Sequence, residues 1–357
     1  MIPAIYYQNI YIFIILLLTV YIGYCYTHVS HNNHKRKANS QTIGAFILCV
    51  FMIAFIGTRP ASKVFVDMAG YAAHWELWDQ GNYSFDWDAE NLLFDNLRMF
   101  MATAHISYEI FFLLIAAIYF GCAYAACLKL FPHDTLYAFL VFLAAFSTFS
   151  YATNGIKAGA AASIFLLAVA YNDKPLITMS LALISWGFHH SMIMVVGSYL
   201  IVYLYHKPKW YFILWLFGVL VASLHISTFQ SLFASMTDEQ GAGYLEGQTH
   251  GKGFRLDFIL YSSMPVLVGY YAIFRKKIES RGYNIILCLY LMTNTIWMLC
   301  MYAEFTNRIA YLSWFLYPFV LIYPLLNEDW GRNKYLVAKR VSYAHLAFTL
   351  FMIFVFY

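Results

Sequence analysis

The sequence predicts an all-α polytopic membrane protein of about twelve transmembrane or partly spanning helices, in a range of about ten to twelve, with an outer-face cavity. Three observations carry this prediction. Of 357 residues, 62% are hydrophobic and 11% charged, where a soluble domain carries about 25% charged residues. Apolar runs near the length of a membrane span, about 20 residues, recur along the whole chain and are bounded by polar clusters. Lys and Arg gather in alternate short loops, as the positive-inside bias requires.

Composition also excludes classes of function. An ordinary soluble enzyme does not fit this hydrophobic content, and a net charge of +4 without a basic domain lacks the phosphate-neutralising surface of a nucleic-acid binder. The six cysteines lie inside or at the ends of apolar runs, with no C-x-x-C pair and no Cys/His spacing of a zinc site, so they read as packing residues. The first apolar run has no basic segment or small-residue cleavage site ahead of it and reads as a retained span. The chain is expected to form a single integral membrane domain, 1–357, with outer loops at 59–105 and 229–255.

Helices are expected near 9–27, 43–58, 106–128, 136–153, 155–171 and 175–188, and then near 190–205, 210–228, 256–274, 283–302, 308–326 and 341–357. The first loop, His31 to Lys37 with Lys35 and Arg36, is placed inside, and alternate loops after it hold most of the basic residues. Both termini then face out. The remaining cations are Arg59, Lys63, Arg98, Lys157, Lys252, Arg255 and Arg308, all on the outer side.

Two intervals, Leu136 to Tyr171 and Pro175 to Tyr205, turn around Asn154-Gly155 and around Gly187-Phe-His-His-Ser191. Their helices reach roughly 21–27 Å, short of a hydrocarbon core about 30 Å thick. Polar backbone at that depth needs protein or a water-filled cavity around it, which suggests turns recessed below the outer surface. The alternative is one long tilted helix in either interval, which would invert all later sidedness.

The outer cations work against the insertion bias and so ask for another reason. Arg59 ends the second span in Gly57-Thr-Arg59, Lys157 follows Asn154-Gly-Ile, and Arg308 opens the eleventh helix in Thr306-Asn-Arg308. Arg with its bidentate fork and Lys with its point charge suit a pyrophosphate and the charge that develops on a phosphate leaving group. Simple snorkelling of helix-end cations is the competing explanation, and Glu304, one turn before Arg308, offers that arginine an ion pair. Arg255 lies in the second outer loop, a glycine-rich segment that reads as either a lid or a plain connector.

Beyond Arg59 come Asp67, Tyr71, His74 and Trp75 within an acidic, aromatic stretch. Aromatic faces beside carboxylates suit a sugar, while an interfacial helix with an aromatic belt is the competing and plainer account of the tryptophans. Asp67 is the first candidate for a general base. His189 and His190 come next, since imidazole titrates near neutrality; adjacent as they are, with no third ligand in view, they do not read as a zinc pair.

Four pieces taken in order, Gly57-Thr-Arg59 with Asp67-x-x-x-Tyr71, Asn154-Gly-Ile-Lys157, Phe188-His-His-Ser191 and Asn307-Arg308-Ile-Ala-Tyr311, resemble the EpsG/Wzy-type bacterial polysaccharide polymerase family. The chain departs from the family pattern at Lys157-Ala158, where an Arg-Gln pair is usual; lysine keeps the charge and loses the fork. The resemblance implies a GT-C-like, multi-pass glycosyltransferase of the bacterial inner membrane with its active site facing the periplasm. Its donor and acceptor would be oligosaccharide repeat units on undecaprenyl pyrophosphate, joined into O-antigen, capsule or exopolysaccharide with no cofactor, nucleotide sugar or metal.

On that reading Arg59, Lys157, Arg308 and Arg255 bind pyrophosphate, and Asp67 or His190 deprotonates the acceptor hydroxyl for an inverting attack. Tyr71, His74, Trp75, Asn154, His189, Glu304 and Tyr311 would contact glycan. Membrane lipids are the other partner, and binding of a chain-length regulator stays open. A lipid-linked glycan flippase is one alternative, although it should show two similar halves and midplane charges. A membrane O-acyltransferase and an O-antigen-ligase-like transferase are the others, the latter differing only in acceptor.

Overall fold

A computed structural model describes residues 2–28, 34–79, 81–226, 229, 253–303, 306–331 and 333–356. The described chain is helical, with no strand among the described residues, and it is a polytopic all-α membrane protein. Seven helices are long and apolar enough to span: Ala4–Cys25, Ala38–Gly57, Tyr108–Leu130, Leu256–Arg275, Arg281–Leu299, Thr306–Asn327 and Lys334–Val355. A bent pair, Thr135–Leu143 with Phe146–Thr153, makes an eighth, and Ile156–Ala170, Pro175–Phe188, Met192–Leu204 and Pro208–Ser223 are shorter apolar helices. These segments follow the predicted order, because the contrast between apolar runs and charged loops is strong at almost every boundary.

By chain order the helices are α1 (Tyr7–His28), α2 (His34–Gly57), α3 (Val66–Asp79), α4 (Leu92–Thr103), α5 (Tyr108–Leu130), α6 (Thr135–Leu143), α7 (Phe146–Thr153), α8 (Ile156–Ala170) and α9 (Pro175–Phe188). They are followed by α10 (Met192–Leu204), α11 (Pro208–Ser223), α12 (Leu256–Tyr270), α13 (Arg281–Leu299), α14 (Thr306–Trp314), α15 (Tyr317–Asn327) and α16 (Lys334–Phe351). The chain forms two compact units, one of Met1–His189 with Ser342–Thr349 and one of His190–Val341 with Leu350–Tyr357.

In the first unit α8 packs closely on α5 and α9 because its first turns are built from Gly159, Ala160, Ala161 and Ala162, all buried. Small residues let helix backbones approach, and hydroxyls then bridge them. Ser185 Oγ donates to the Ala161 carbonyl at 2.7 Å, and Ser163 Oγ donates to the Tyr119 carbonyl. A Cβ on Gly159 would sit 2.6 Å from the Tyr151 carbonyl oxygen, so this glycine is required by the close approach of backbone.

The expected single helix over 136–153 is corrected to two, bent by 75° at Ala144-Ala145, where Ala145 is extended at φ −73°, ψ 141°. The break strands carbonyls at the end of α6, and buried side chains take them up. Tyr11 donates from its hydroxyl to the Leu143 oxygen at 2.6 Å, Thr148 Oγ1 donates to the Phe142 oxygen at 2.7 Å, and His345 Nε2 reaches the Val141 oxygen at 3.3 Å. Neither of the two intervals with recessed turns is one long helix, since α7 ends at Thr153 and α9 at Phe188.

In the second unit the core is tied by a polar network around Asn294, which is fully buried. Its Nδ2 donates to Ser262 Oγ at 3.1 Å and to Ser313 Oγ at 2.9 Å, and its Oδ1 accepts from Trp215 Nε1 at 2.9 Å. Trp314 Nε1 also donates to Ser262 Oγ at 2.8 Å. Helices α11, α12, α13 and α14 are thereby joined at one point, with a stacked Tyr261–Tyr317 pair at 4.3 Å beside it.

Candidate functional site

The interval 59–105 is structured by aromatic packing. On α3, Trp75 is 5% exposed; its Nε1 donates to the Ile106 oxygen at 2.9 Å and its ring lies 5.2 Å from Phe111. One turn earlier, Tyr71 lies between the Phe94 ring at 5.7 Å and the Arg98 guanidinium at 5.1 Å. His74 is exposed and its Nδ1 meets the Gly70 oxygen at 2.7 Å. Asp67 is half-buried in the first turn of α3, where a carboxylate complements the helix dipole.

Arg98 is a residue that the sequence reading passed over as one more outer cation. Its guanidinium also covers Trp78 at 4.2 Å and pairs with Asp95 at 3.6 Å, so it clamps α3 to α4. Burial lowers its pKa and Asp95 opposes that shift. The available signal was the Asp95/Arg98 spacing of one helical turn on an amphipathic segment. His189 Nδ1 meets Asn91 Oδ1 at 3.3 Å, a partner separated by 98 residues and marked by no motif.

The first unit brings Arg59 and the Asn154–Lys157 turn together. Arg59 is 3% exposed, with Phe65 and Phe112 rings at 5.6 and 5.7 Å from its guanidinium carbon. Its Nη1 donates to the Ile56 oxygen at 2.6 Å, closing the end of α2, and its Nη2 donates to the Thr153 oxygen at 3.2 Å, at the end of α7. Cations at helix C-termini are favourable there. Burial lowers the Arg59 pKa, and no carboxylate among the described residues counters it.

Two polar atoms at this junction are buried without a hydrogen-bond partner, Arg59 Nε and Asn154 Oδ1, and a buried orphan of either kind costs about 1–3 kcal/mol. Immediately beyond, Gly155 caps α8 with no side-chain hydrogen bond, and the first turn of α8 contains no acid. Lys157, half-buried, is in that turn. A cation there faces the positive end of the helix dipole, an arrangement that opposes folding by about 0.3–1 kcal/mol. Arg59, Lys157 and the first amides of α8 bring positive groups to one turn, chemistry that suits an anion.

The other candidates belong to the second unit. Arg308 is exposed in the first turn of α14, which also lacks an acid. Tyr311 is 5% exposed with its ring 5.5 Å from Trp314, and Trp297 Nε1 donates to Thr306 Oγ1 at 2.9 Å to hold the start of that helix. Arg255 is 9% exposed; it grips Asp257 through Nε at 2.9 Å and Nη2 at 2.5 Å and stacks on Phe258 at 3.6 Å, so its charge is matched at the start of α12. His190 is half-buried just before α10. Glu304 and most of the interval 229–255, expected as an outer loop, lie outside the described residues. Among the described residues no group of three or more His, Cys, Asp or Glu side chains is placed to hold a metal ion.

No curated protein and no solved structure gave a match to the chain. A family model, described as the EpsG family, matches residues 42–357. That stretch runs from α2 to the end of the chain and so takes in the Arg59 junction, the histidine turn and the Arg308 helix alike: the chain belongs to the EpsG family.

Proposed function

We propose that this chain is a membrane glycosyltransferase that polymerises oligosaccharide repeat units carried on undecaprenyl pyrophosphate into O-antigen, capsule or exopolysaccharide, at the outer face of the bacterial inner membrane. Family membership supports the polysaccharide-polymerase class. The observation that carries the finer reading is the anion-suited junction in the first unit. Lys157, half-buried in the first turn of α8, supplies a point charge, and Arg59, locked onto the Thr153 oxygen, holds the turn and adds its field.

The chemistry follows from that charge. A pyrophosphate leaving group gains negative charge as the glycosidic carbon–oxygen bond breaks, and fixed cations or helix amides aimed at it lower the barrier. Two lipid-linked substrates each carry a pyrophosphate. Arg308 is the accessible cation that the second unit offers for one of them, while Lys157 serves the other. Asp67, in the same unit as Lys157, takes the proton of the acceptor hydroxyl, and direct attack inverts the anomeric carbon.

The test is the purified protein in nanodiscs, given a lipid pyrophosphate-linked repeat unit, with products run on a gel. A ladder together with release of polyprenyl pyrophosphate is the expected result. Full polymer length in both Lys157→Ala and Arg308→Ala would overturn the cation assignment. Transfer of the lipid between leaflets without any ladder would replace the polymerase with a transporter.

A further inference from the structure

The segment between α3 and α4 has no regular structure, yet it is pinned. Asn96, 4% exposed, donates from Nδ2 to the Asp86 oxygen at 2.8 Å and accepts from the Asp86 N–H through Oδ1 at 2.8 Å. The same Nδ2 also donates to the Leu92 oxygen at 2.7 Å. The Asp88 N–H donates to Asp86 Oδ1 at 2.9 Å, which folds the next residues into a tight turn, and Tyr83 packs its ring at 5.4 Å from Phe100. One buried amide therefore fixes the backbone on which Phe85 and Trp87 stand.

Those two rings lie 4.6 Å apart and are turned outward, Trp87 at 78% exposure and Phe85 at 39%. An exposed tryptophan on a rigid support has its ordering entropy already met, a condition that favours binding. Asp86, Asp88 and Glu90 flank the rings. Apolar ring faces beside carboxylate acceptors match a sugar, which offers axial C–H groups and a rim of hydroxyl donors.

A membrane surface is the other class that takes exposed tryptophan, and charge decides against it. From Val64 to Arg98 the chain contains Asp67, Glu76, Asp79, Asp86, Asp88, Glu90 and Asp95 against one cation, Arg98, which is taken up by Asp95 and the Trp78 ring. Elements that lie in the interface are rich in Lys and Arg, which anionic headgroups attract. The same field repels uronate or phosphate-bearing polymers. We propose that the Phe85–Trp87 knuckle is a docking surface for an uncharged glycan chain. The proposal deepens the polymerase reading and rests on it for the identity of that glycan as the enzyme's own product.

The experiment uses the full chain in zwitterionic nanodiscs over immobilised polysaccharides, neutral (dextran, mannan, galactan) and acidic (alginate, hyaluronan). Retention on at least one neutral polymer and none on the acidic ones is expected. Trp87→Ala should weaken that retention about tenfold and Trp87→Phe should recover most of it; the exposure of Trp87 leaves folding out of the comparison. Retention equal in wild type and Trp87→Ala, or absent on every neutral polymer, would overturn the docking surface. So would quenching of a bimane on Trp87→Cys by spin-labelled lipid, which would assign the knuckle to the membrane interface. The ladder assay with lipid-linked units is scored separately, so a ladder without retention discards the knuckle and leaves the polymerase, whereas retention without a ladder keeps a glycan surface and discards the polymerase.

Discussion

Arg59 Nη2 donates to the Thr153 carbonyl oxygen at 3.2 Å, joining the end of α2 to the end of α7 across 94 residues of sequence. The bond places a buried guanidinium, itself nearly closed to solvent, at a turn whose next cation, Lys157, is half-buried. The proposed function gives the two cations of this junction separable duties, Arg59 holding the backbone and Lys157 meeting the anion.

Separable duties predict opposite stability effects. Arg59→Ala takes the side-chain donor from the Thr153 carbonyl, while the Ile56 carbonyl keeps the backbone N–H of residue 59; it should cost about 1–3 kcal/mol, read as a fall in the denaturation midpoint in detergent. Lys157→Ala removes a cation from the positive end of α8 and should leave that midpoint unchanged or raise it, by up to about 1 kcal/mol, while abolishing polymer formation. A loss of stability in Lys157→Ala comparable to that of Arg59→Ala would mean that both residues are structural.

The Arg98 clamp gives a prediction about local order. With its guanidinium 4.2 Å from the Trp78 ring and 5.1 Å from the Tyr71 ring, Arg98→Ala removes contacts that join α3 to α4, each worth about 0.5–2 kcal/mol. Limited proteolysis should then cut between residues 79 and 91 faster than in wild type, with global unfolding little changed. Arg98→Lys should protect poorly, because an ammonium lacks the flat face that stacks on indole.

Much of the frame was legible because charge and apolarity alternate sharply. The run before Lys129 becomes α5 with boundaries close to those expected, and the run after Lys35-Arg-Lys37 ends as α2 where expected, although α2 begins at His34 and takes the basic cluster into its first turn. The bend at Ala144-Ala145 was not legible, since Leu143-Ala-Ala-Phe146 contains neither Gly nor Pro. Its carbonyls are held by Tyr11 and His345, more than a hundred residues away on either side. The motif pieces around Arg59 and Asn154 pointed to one place, and the Arg59–Thr153 bond joins them. Arg255 shows the reverse, for a cation that looked available from sequence is gripped by Asp257 two residues on. Arg98 was visible as a charge and invisible as a clamp, because its aromatic partners lie on another helix.

The Asn294 network predicts strong coupling inside the second unit. Asn294→Ala leaves Trp215 Nε1 without the oxygen it meets at 2.9 Å and removes the donor to Ser262 and Ser313. A cost of about 1–3 kcal/mol is expected, and Asn294→Leu should do no better despite filling the space, since the indole N–H stays buried. In a double-mutant cycle, Trp215→Phe combined with Asn294→Ala should be less destabilising than the sum of the two. Strict additivity would mean that the two side chains do not share a bond.

The bend between α6 and α7 is over-determined, and that has a measurable consequence. Tyr11 and Thr148 cap neighbouring carbonyls, those of Leu143 and Phe142, and the Phe142 oxygen also accepts from the Ala145 N–H. Interhelical hydrogen bonds in membrane proteins average about 0.6 kcal/mol, and Tyr11→Phe or Thr148→Val should each cost about that much. The Ala145 N–H still meets the Phe142 oxygen at 3.1 Å when both hydroxyls are gone, and the two side chains share no acceptor, so the losses should add to within about 0.5 kcal/mol. The measurement is the unfolding midpoint of the four proteins of the cycle in one detergent. A double variant that loses clearly more than that sum would mean that the two hydroxyls act as one unit, and that the backbone bond from Ala145 does not hold the bend when they are removed.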